Sequence, residues 1–322
     1  MKNIAILCSG GDVSGMNPAL KRFVEYSFLQ GLTPYFVENG YEGLIDDRIY
    51  PASYSHVAGI LSRGGTKIHT SRSTRFKEHP YRDIAIQNLK ARHIDALIVM
   101  GGDGSFRGMQ ALSKHSSEIG FSGIPSTIDN DIAGTDYCLG VDTALNMITY
   151  AIDSVRDTAS SYGRAFVIET MGRECGYLAL VSALTSGAEM CLIPEIPYDL
   201  EHYKQIFLAQ KAAGRKYFIA ILAEAVQKRA EIEQWFEQEI GIEATPMVLG
   251  HIQRGGSPTT YDRRMAFDFV THAIDGLLSG RTRSIVCYNA GGFNHKPIEE
   301  IAGKPHTIND ALLKLGREYG HR

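Results

Sequence analysis

The chain has 322 residues, 44% hydrophobic and 21% charged; that balance excludes an intrinsically disordered protein, and roughly 150 residues per domain predicts two domains. With 33 Lys+Arg against 36 Asp+Glu and 11 His, the formal net charge is −3. No bulk basic field exists to hold nucleic acid or an anionic membrane, so an anionic substrate has to be met by a local cluster of cations.

Lys2 precedes the apolar run Ile4–Cys8, which is too short for a signal-peptide core and reads as a buried strand. Ser9-Gly-Gly-Asp-Val-Ser-Gly-Met-Asn17 follows, then a predicted helix over Pro18–Gln30 stopped by Gly31. The plan recurs with a strand at Ala96–Met100, a loop at Gly101-Gly-Asp-Gly-Ser105 and a helix at Phe106–Lys114. Further apolar runs are Ala165–Ile168, Met190–Ile193, Tyr217–Leu222 and Ser284–Tyr288, separated by helix-length segments. Continuous apolar strands alternating with helices predict an α/β fold with parallel sheets covered on both faces. The longest uncharged run, Cys175–Ala188, is well short of the ~18 residues a membrane span needs. The five cysteines, Cys8, Cys138, Cys175, Cys191 and Cys287, contain no C-x-x-C pair and read as reduced thiols of a cytosolic protein.

Both glycine doublets, Gly10-Gly11-Asp12 and Gly101-Gly102-Asp103-Gly104, fall between a predicted strand and a predicted helix. Glycine there lets backbone N–H groups converge on a phosphate beside a helix N-terminus. Neither is a Walker A loop, and neither matches G-x-G-x-x-G. In Thr127-Ile-Asp-Asn-Asp131, an extended segment would turn Asp129 and Asp131 to the same side. A calcium loop fails because Gly140 stands at its twelfth position. Paired carboxylates suit phosphoryl transfer, with one accepting a hydroxyl proton and others positioning Mg²⁺ or the acceptor. Arg72, Arg164, Arg173, His251 and Arg254 form the cationic set, and arginine forks fit phosphate oxygens bidentately.

Together with Arg63-Gly-Gly-Thr66, Met171-Gly-Arg173 and Leu249-Gly-His-Ile-Gln-Arg-Gly-Gly-Ser-Pro258, these segments resemble the bacterial ATP-dependent 6-phosphofructokinase family along nearly the whole chain. The resemblance implies two Rossmann-like three-layer domains with the active site in the cleft between them. A nucleotide domain would comprise 1–140 plus 253–303, and a sugar-phosphate domain 141–252 plus 304–322. The reaction implied is phosphoryl transfer from ATP-Mg²⁺ to fructose 6-phosphate in glycolysis, by a cytoplasmic homotetramer whose active sites are shared between subunits. Asp129 would be the general base, assisted by Asp131, with Thr127 near the transferred phosphoryl and Arg173 steadying it. Gly11, Tyr41, Arg72, Gly102, Asp103, Gly104 and Ser105 would hold the nucleotide, Asp103 also holding Mg²⁺. Thr127, Asp129, Met171, Gly172, Arg173, Glu224, His251 and Arg254 would meet the sugar phosphate, with Arg164 reaching in from a neighbouring subunit.

Several positions depart from the family pattern. Thr245 stands where the family usually has a second arginine for the 6-phosphate, which predicts weakened sugar-phosphate affinity, a compensating cation or a different sugar. At the family's effector site stand Lys21, Glu25, Tyr54 and Ala213, while Arg156, Glu189 and Arg215 remain compatible; little response to ADP or phosphoenolpyruvate is expected. Pyrophosphate-dependent relatives usually carry Asp at position 104 and Lys at 126, where this chain has Gly104 and Ser126. Gly104 favours ATP, although Ser126 is not the usual glycine of ATP enzymes. The alternatives are a pyrophosphate-dependent enzyme, a kinase of a related sugar phosphate, an NAD or lipid kinase sharing only Gly-Gly-Asp-Gly, and a regulatory subunit without catalysis.

Overall fold

A computed structural model describes residues 1–318, so the last four residues of the predicted 304–322 segment lie outside the described residues. The chain divides into two units, Met1–Thr143 with Arg254–His306, and Ala144–Gln253 with the segment from Thr307.

The first unit holds a seven-stranded sheet and the second a four-stranded one. The strands, in chain order, are β1 (Asn3–Cys8), β2 (Thr33–Val37), β3 (Ile49–Pro51), β4 (Ala96–Gly101), β5 (Gly120–Pro125), β6 (Ala165–Thr170), β7 (Met190–Leu192), β8 (Phe218–Ala223), β9 (Ala244–Val248), β10 (Ser284–Asn289) and β11 (Gly292–Pro297). The larger sheet has the order β11-β10-β5-β4-β1-β2-β3, and only the edge pairs β2–β3 and β10–β11 are antiparallel. β1 and β4 are buried along nearly their whole length, as strands covered on both faces must be. From β1 the chain passes through the helix Met16–Leu29 to β2, whereas β4 passes through Asp103–Ser113 to β5 on the opposite side of the order. Right-handed crossovers in opposite directions put these helices on opposite faces, giving three layers. The strand order therefore reverses between β1 and β4, the position where open α/β sheets form a crevice beyond their carboxyl ends.

The smaller sheet, β7-β8-β6-β9, is parallel throughout. Its alternation shows in the core: Ala165, Val167, Phe218, Ala220 and Leu222 share one cluster with Tyr203, Phe207, Ile232, Trp235 and Phe236. Phe207 stacks on Phe218 with ring centroids 4.5 Å apart. Toward the helix Tyr177–Ser186, Gly316 leaves room for Leu180 and Ile196, which a Cβ would meet within 3 Å.

The α/β expectation and all six apolar strands read from sequence are present. Five strands, β2, β3, β5, β9 and β11, were not read, and β5 and β9 show why. β5 carries Gly120 and Gly123, and a Cβ at 123 would come 2.8 Å from Phe106 and 2.9 Å from Ile285, so crowding removed the apolar signal. β9 contains Pro246, which is tolerated because this strand lies at the sheet edge.

Candidate active site

The first unit gathers three segments at the carboxyl edge of its sheet. After β1, Gly10 adopts φ +88°, and its carbonyl accepts from Thr70 Oγ1 at 2.9 Å while its N–H donates to Ser71 O at 3.3 Å. These bonds tie the segment carrying the exposed Arg72 to the first glycine loop. Asn17 braces the same region, donating to Arg63 O (3.1 Å) and Gly64 O (3.0 Å) and accepting from Lys67 N–H (2.7 Å). At Gly11 a Cβ would stand 2.3 Å from Arg254 Nη1, so glycine lets the guanidinium rest against the backbone. Ser14 Oγ donates to Gly256 O at 2.9 Å, fixing the glycine pair beyond Arg254.

After β4, the sequence predicts a loop through Ser105 with the helix starting at Phe106. The helix instead begins at Asp103, with Gly102 extended at its N-cap. Asp103, Gly104 and Ser105 thus form the first turn, whose N–H groups lack intrahelical acceptors and carry the positive end of the dipole. Gly104 is exposed, and nothing lies within 4 Å of the Cβ it lacks. Ser105 is turned inward, its Oγ donating to Ser9 O at 3.0 Å and joining the two glycine loops. Tyr41, expected among the nucleotide contacts, is buried, stacks on Phe76 at 4.0 Å and donates its hydroxyl to Ser105 O at 2.6 Å. It acts here as a brace under the helix start. Asp103 Oδ1 accepts from Gly303 N–H at 2.6 Å, and Oδ2 lies 3.0 Å from Arg107 Nε.

After β5, Ser126 is buried, its N–H donating to Gly101 O at 3.0 Å and its hydroxyl to Ile124 O at 3.1 Å. The serine in place of the usual glycine is therefore held by its own strand. Thr127 comes next, and a Cβ on Gly102 would lie 3.7 Å from it. The extended geometry expected for Asp129 and Asp131 is not what forms: the chain turns at Ile128–Asp129, and Asn130 is left-handed at φ +51°. Thr127 Oγ1 accepts from Asp129 N–H (3.2 Å), while Asn130 Oδ1 accepts from Cys138 N–H (2.9 Å) and Nδ2 donates to Asp136 O (3.1 Å). Burial first, with the Asp131 and Asp129 carboxylates among the lesser causes, pushes the Cys138 thiol well above its ordinary pKa. Asp129 is fully buried and Asp131 partly so.

In the second unit, Met171-Gly-Arg173 leaves the carboxyl end of β6. Gly172 has φ +140°, and a Cβ there would meet Cys175 O at 2.3 Å, so only glycine fits. Glu224, expected on the sugar, has Oε1 accepting from the N–H groups of Gly172 (3.2 Å) and Arg173 (2.7 Å). The buried Gln253, which the sequence reading passed over within the His251–Pro258 stretch, accepts from Met171 N–H at 3.2 Å and donates to Gly250 O at 2.9 Å. Arg173 and His251 are both exposed, at the carboxyl ends of β6 and β9.

The Phosphofructokinase family profile matches residues 3–277. The chain belongs to the phosphofructokinase family. A relative from Sulfurovum sp. (strain NBC37-1), named ATP-dependent 6-phosphofructokinase, is 69% identical over 319 residues, covering 99% of this chain and 98% of its own. One from Sulfurimonas denitrificans, bearing the same name, is 60% identical over 320 residues, covering 99% and 100%. Among solved structures, phosphofructokinase from Saccharomyces cerevisiae aligns at TM-score 0.87 and 30% identity over 99% of this chain, which spans 46% of that longer chain. A pyrophosphate-dependent phosphofructokinase from Marinobacter aquaeolei aligns at TM-score 0.83 and 20% identity, covering 100% of this chain and 91% of its own, a likeness of fold alone.

Arg164, expected to reach a neighbouring subunit's sugar-phosphate site, and Thr245 stand at the opposite end of β6 and β9 from Met171. Arg164 precedes β6 while Met171 follows it, which separates them by about 23 Å at ~3.3 Å per residue. Arg164 pairs with Glu243 at 3.2 Å. Thr245 lies beside Phe166 in the β6–β9 register, so it shares that amino-terminal edge. At the family's effector positions, Lys21 is paired with Glu25 at 2.7 Å and Glu189 with Arg215. Burial pushes the thiols of Cys8, Cys191 and Cys287 up to about 12, so none is a nucleophile near neutrality.

Proposed function

We propose that the chain transfers the terminal phosphoryl group of ATP to the 1-hydroxyl of fructose 6-phosphate, giving fructose 1,6-bisphosphate and ADP. The observation that carries this reading is the gathering of both glycine loops and the Thr127–Asp131 turn at the point where the order of the larger sheet reverses. The Asp103 helix start, Gly11 and Arg72 hold the nucleotide phosphates, while Arg254 lies against Gly11 at their margin. The open space over Gly104 takes a nucleotide rather than a smaller donor.

Asp129 takes the proton of the sugar hydroxyl as its oxygen attacks the phosphorus and the bond to ADP breaks, with Asp131 assisting. Thr127 lies close to the migrating group, and Arg173 steadies its charge. Met171 and Gly172 shape the sugar side; Glu224 contributes by holding their loop, and His251 and Arg254 receive the sugar phosphate. Arg164, distant from Met171 in its own chain, serves a neighbouring copy, in keeping with a homotetramer. Asp103 fits Mg²⁺, which takes one or two carboxylates with phosphates and water; its oxygens face N–H donors but keep lone pairs, and Arg107 is exposed. Bound there, Mg²⁺ would supply charge neutralisation on the phosphates. No described helix is long and apolar enough to cross a membrane, and a cytoplasmic location accords with the free cysteines.

The test is product formation from fructose 6-phosphate with ATP or pyrophosphate as donor. Saturable fructose 1,6-bisphosphate formation with ATP alone is expected; turnover with pyrophosphate alone, or with neither donor, would overturn the reading.

The Thr245 departure gives a second expectation. Because Thr245 shares the edge of Arg164, which serves a neighbouring copy, Thr245→Arg should add a second cation at that copy's sugar phosphate; at about 1.5–3 kcal/mol per cation–phosphate hydrogen bond, the KM for fructose 6-phosphate should fall at least about tenfold with kcat little changed. An unaltered KM would show that position 245 does not reach the sugar phosphate.

A further inference from the structure

The first unit carries a cluster of metal-ligating side chains that phosphoryl transfer does not use. His79 is the first residue of the helix His79–Ala91, and Asp83, four positions on, lies on the same face. His115 approaches from the segment after the helix Asp103–Ser113. One potential ligand atom from each of the three lies within 4.8 Å of those of the other two. Asp83 is the hub: its Oδ2 is 3.0 Å from His79 Nδ1, and its Oδ1 is 2.7 Å from His115 Nδ1. The two imidazoles face each other with centroids 4.2 Å apart.

The two carboxylate–imidazole spacings are close to the edge of a coordination tetrahedron, and the imidazole nitrogens lie within 4.8 Å of each other. Ligand atoms about 2.0–2.1 Å from a zinc-like ion stand roughly 3.3 Å apart, so little movement would turn the hydrogen-bonded trio into a chelate. Two imidazoles and one carboxylate select a borderline transition-metal dication over Mg²⁺ or Ca²⁺, which prefer oxygen. The side chain of His115 is 7% exposed and that of His79 is 71% exposed, so one ligand is preplaced and the other can adjust.

Arg82 sets the ease of loading. Its Nε donates to His115 Nε2 at 3.1 Å, and its Nη1 is anchored on Phe76 O (2.9 Å) and Lys77 O (2.7 Å). Arginine is only a donor, so His115 Nε2 is unprotonated and Nδ1 carries the proton directed at Asp83. A metal on Nδ1 would move that proton to Nε2, setting two donors against each other. Metal-bound histidines normally offer their second N–H to an acceptor, so Arg82 is a neighbour of the wrong polarity.

We propose that His79, Asp83 and His115 bind one transition-metal dication per chain, and that Arg82 weakens this site by holding His115 in the opposite tautomer. The site rests on these side chains and not on the assigned reaction. The test is calorimetric titration of the untagged full chain with Ni²⁺, without nucleotide and with saturating Mg²⁺ to fill all-oxygen sites. One Ni²⁺ per chain is expected, weakened about tenfold or more in His79→Ala and in Asp83→Asn. Arg82→Met should bind about tenfold more tightly, the scale of changing a metal ligand's hydrogen-bond partner. Both ligand variants alter surface side chains, and unchanged turnover with ATP would show that each is folded. Absence of saturable binding to the native chain, or equal binding by native and ligand variants, would overturn the site. Unchanged or weaker binding by Arg82→Met would overturn the role of Arg82.

Discussion

Asp129→Asn is expected to lower kcat by about 10²–10⁴-fold, the range for losing a positioned general base. The amide has nearly the shape of the carboxylate it replaces but cannot take the proton of the attacking hydroxyl. Because Asp129 is fully buried within a turn held by Thr127 and Asn130, the substitution should leave the binding surface in place. The KM for fructose 6-phosphate should accordingly move far less than kcat. Steady-state kinetics decide the matter, with a thermal melt to confirm the fold. A kcat within threefold of the native value would remove Asp129 from the role of base.

The second large effect concerns stability. Asp262, in the first turn of the helix Thr260–Leu278, is completely buried. Its Oδ1 accepts from the Tyr137 hydroxyl (2.6 Å) and Gly140 N–H (2.7 Å), and its Oδ2 from Thr143 N–H (2.8 Å) and the Thr143 hydroxyl (2.6 Å). These four donors come from the segment following the Asp129–Asp131 turn, so one carboxylate pins that segment to a helix more than a hundred residues later. Asp262→Ala would leave all four without their acceptor and open a void. Losing the acceptor of several buried donors costs about 3–5 kcal/mol. With about 2–4 °C per kcal/mol for a domain of this size, the melting midpoint should fall by about 6–20 °C. Calorimetry on the intact chain would test this, and a fall of under 3 °C would mean that the donors find other partners.

The fold was legible wherever burial on both faces left an unbroken apolar run, as at Ile4–Cys8 and Ala96–Met100. It was hidden where side-chain crowding required glycine, as in β5, or where an edge position tolerated proline, as in β9. The helix beginning at Asp103 was misread because Gly-Asp-Gly looks like a loop by propensity. Site residues stood out when they were charged residues beside glycines. The residues that hold them did not, because Asn17, Asn130, Gln253 and Asp262 act through hydrogen bonds to distant backbone or side chains that composition does not encode. Glu224 and Tyr41 were picked out as ligand contacts, and the loops each one also holds could not be read from sequence. Arg164 stands a full strand length from Met171 in its own chain, so the resemblance that assigns it to a neighbouring copy's site carries information that the fold of one chain does not.

The discontinuity of the first unit has a kinetic consequence. β5 lies between β4 and β10, and β10 begins only at Ser284, so the larger sheet cannot close until most of the chain exists. All four strands of the smaller sheet, by contrast, fall within Ala165–Val248. Non-local pairings form more slowly than local ones, and domains fold as units as they leave the ribosome. During synthesis the smaller sheet is therefore complete first, while β5 waits with an unpaired edge for roughly 160 residues of further elongation. A nascent chain whose β9 has emerged from the ribosome while β10 has not would carry a finished smaller sheet beside an open larger one, a species exposed to aggregation through that edge.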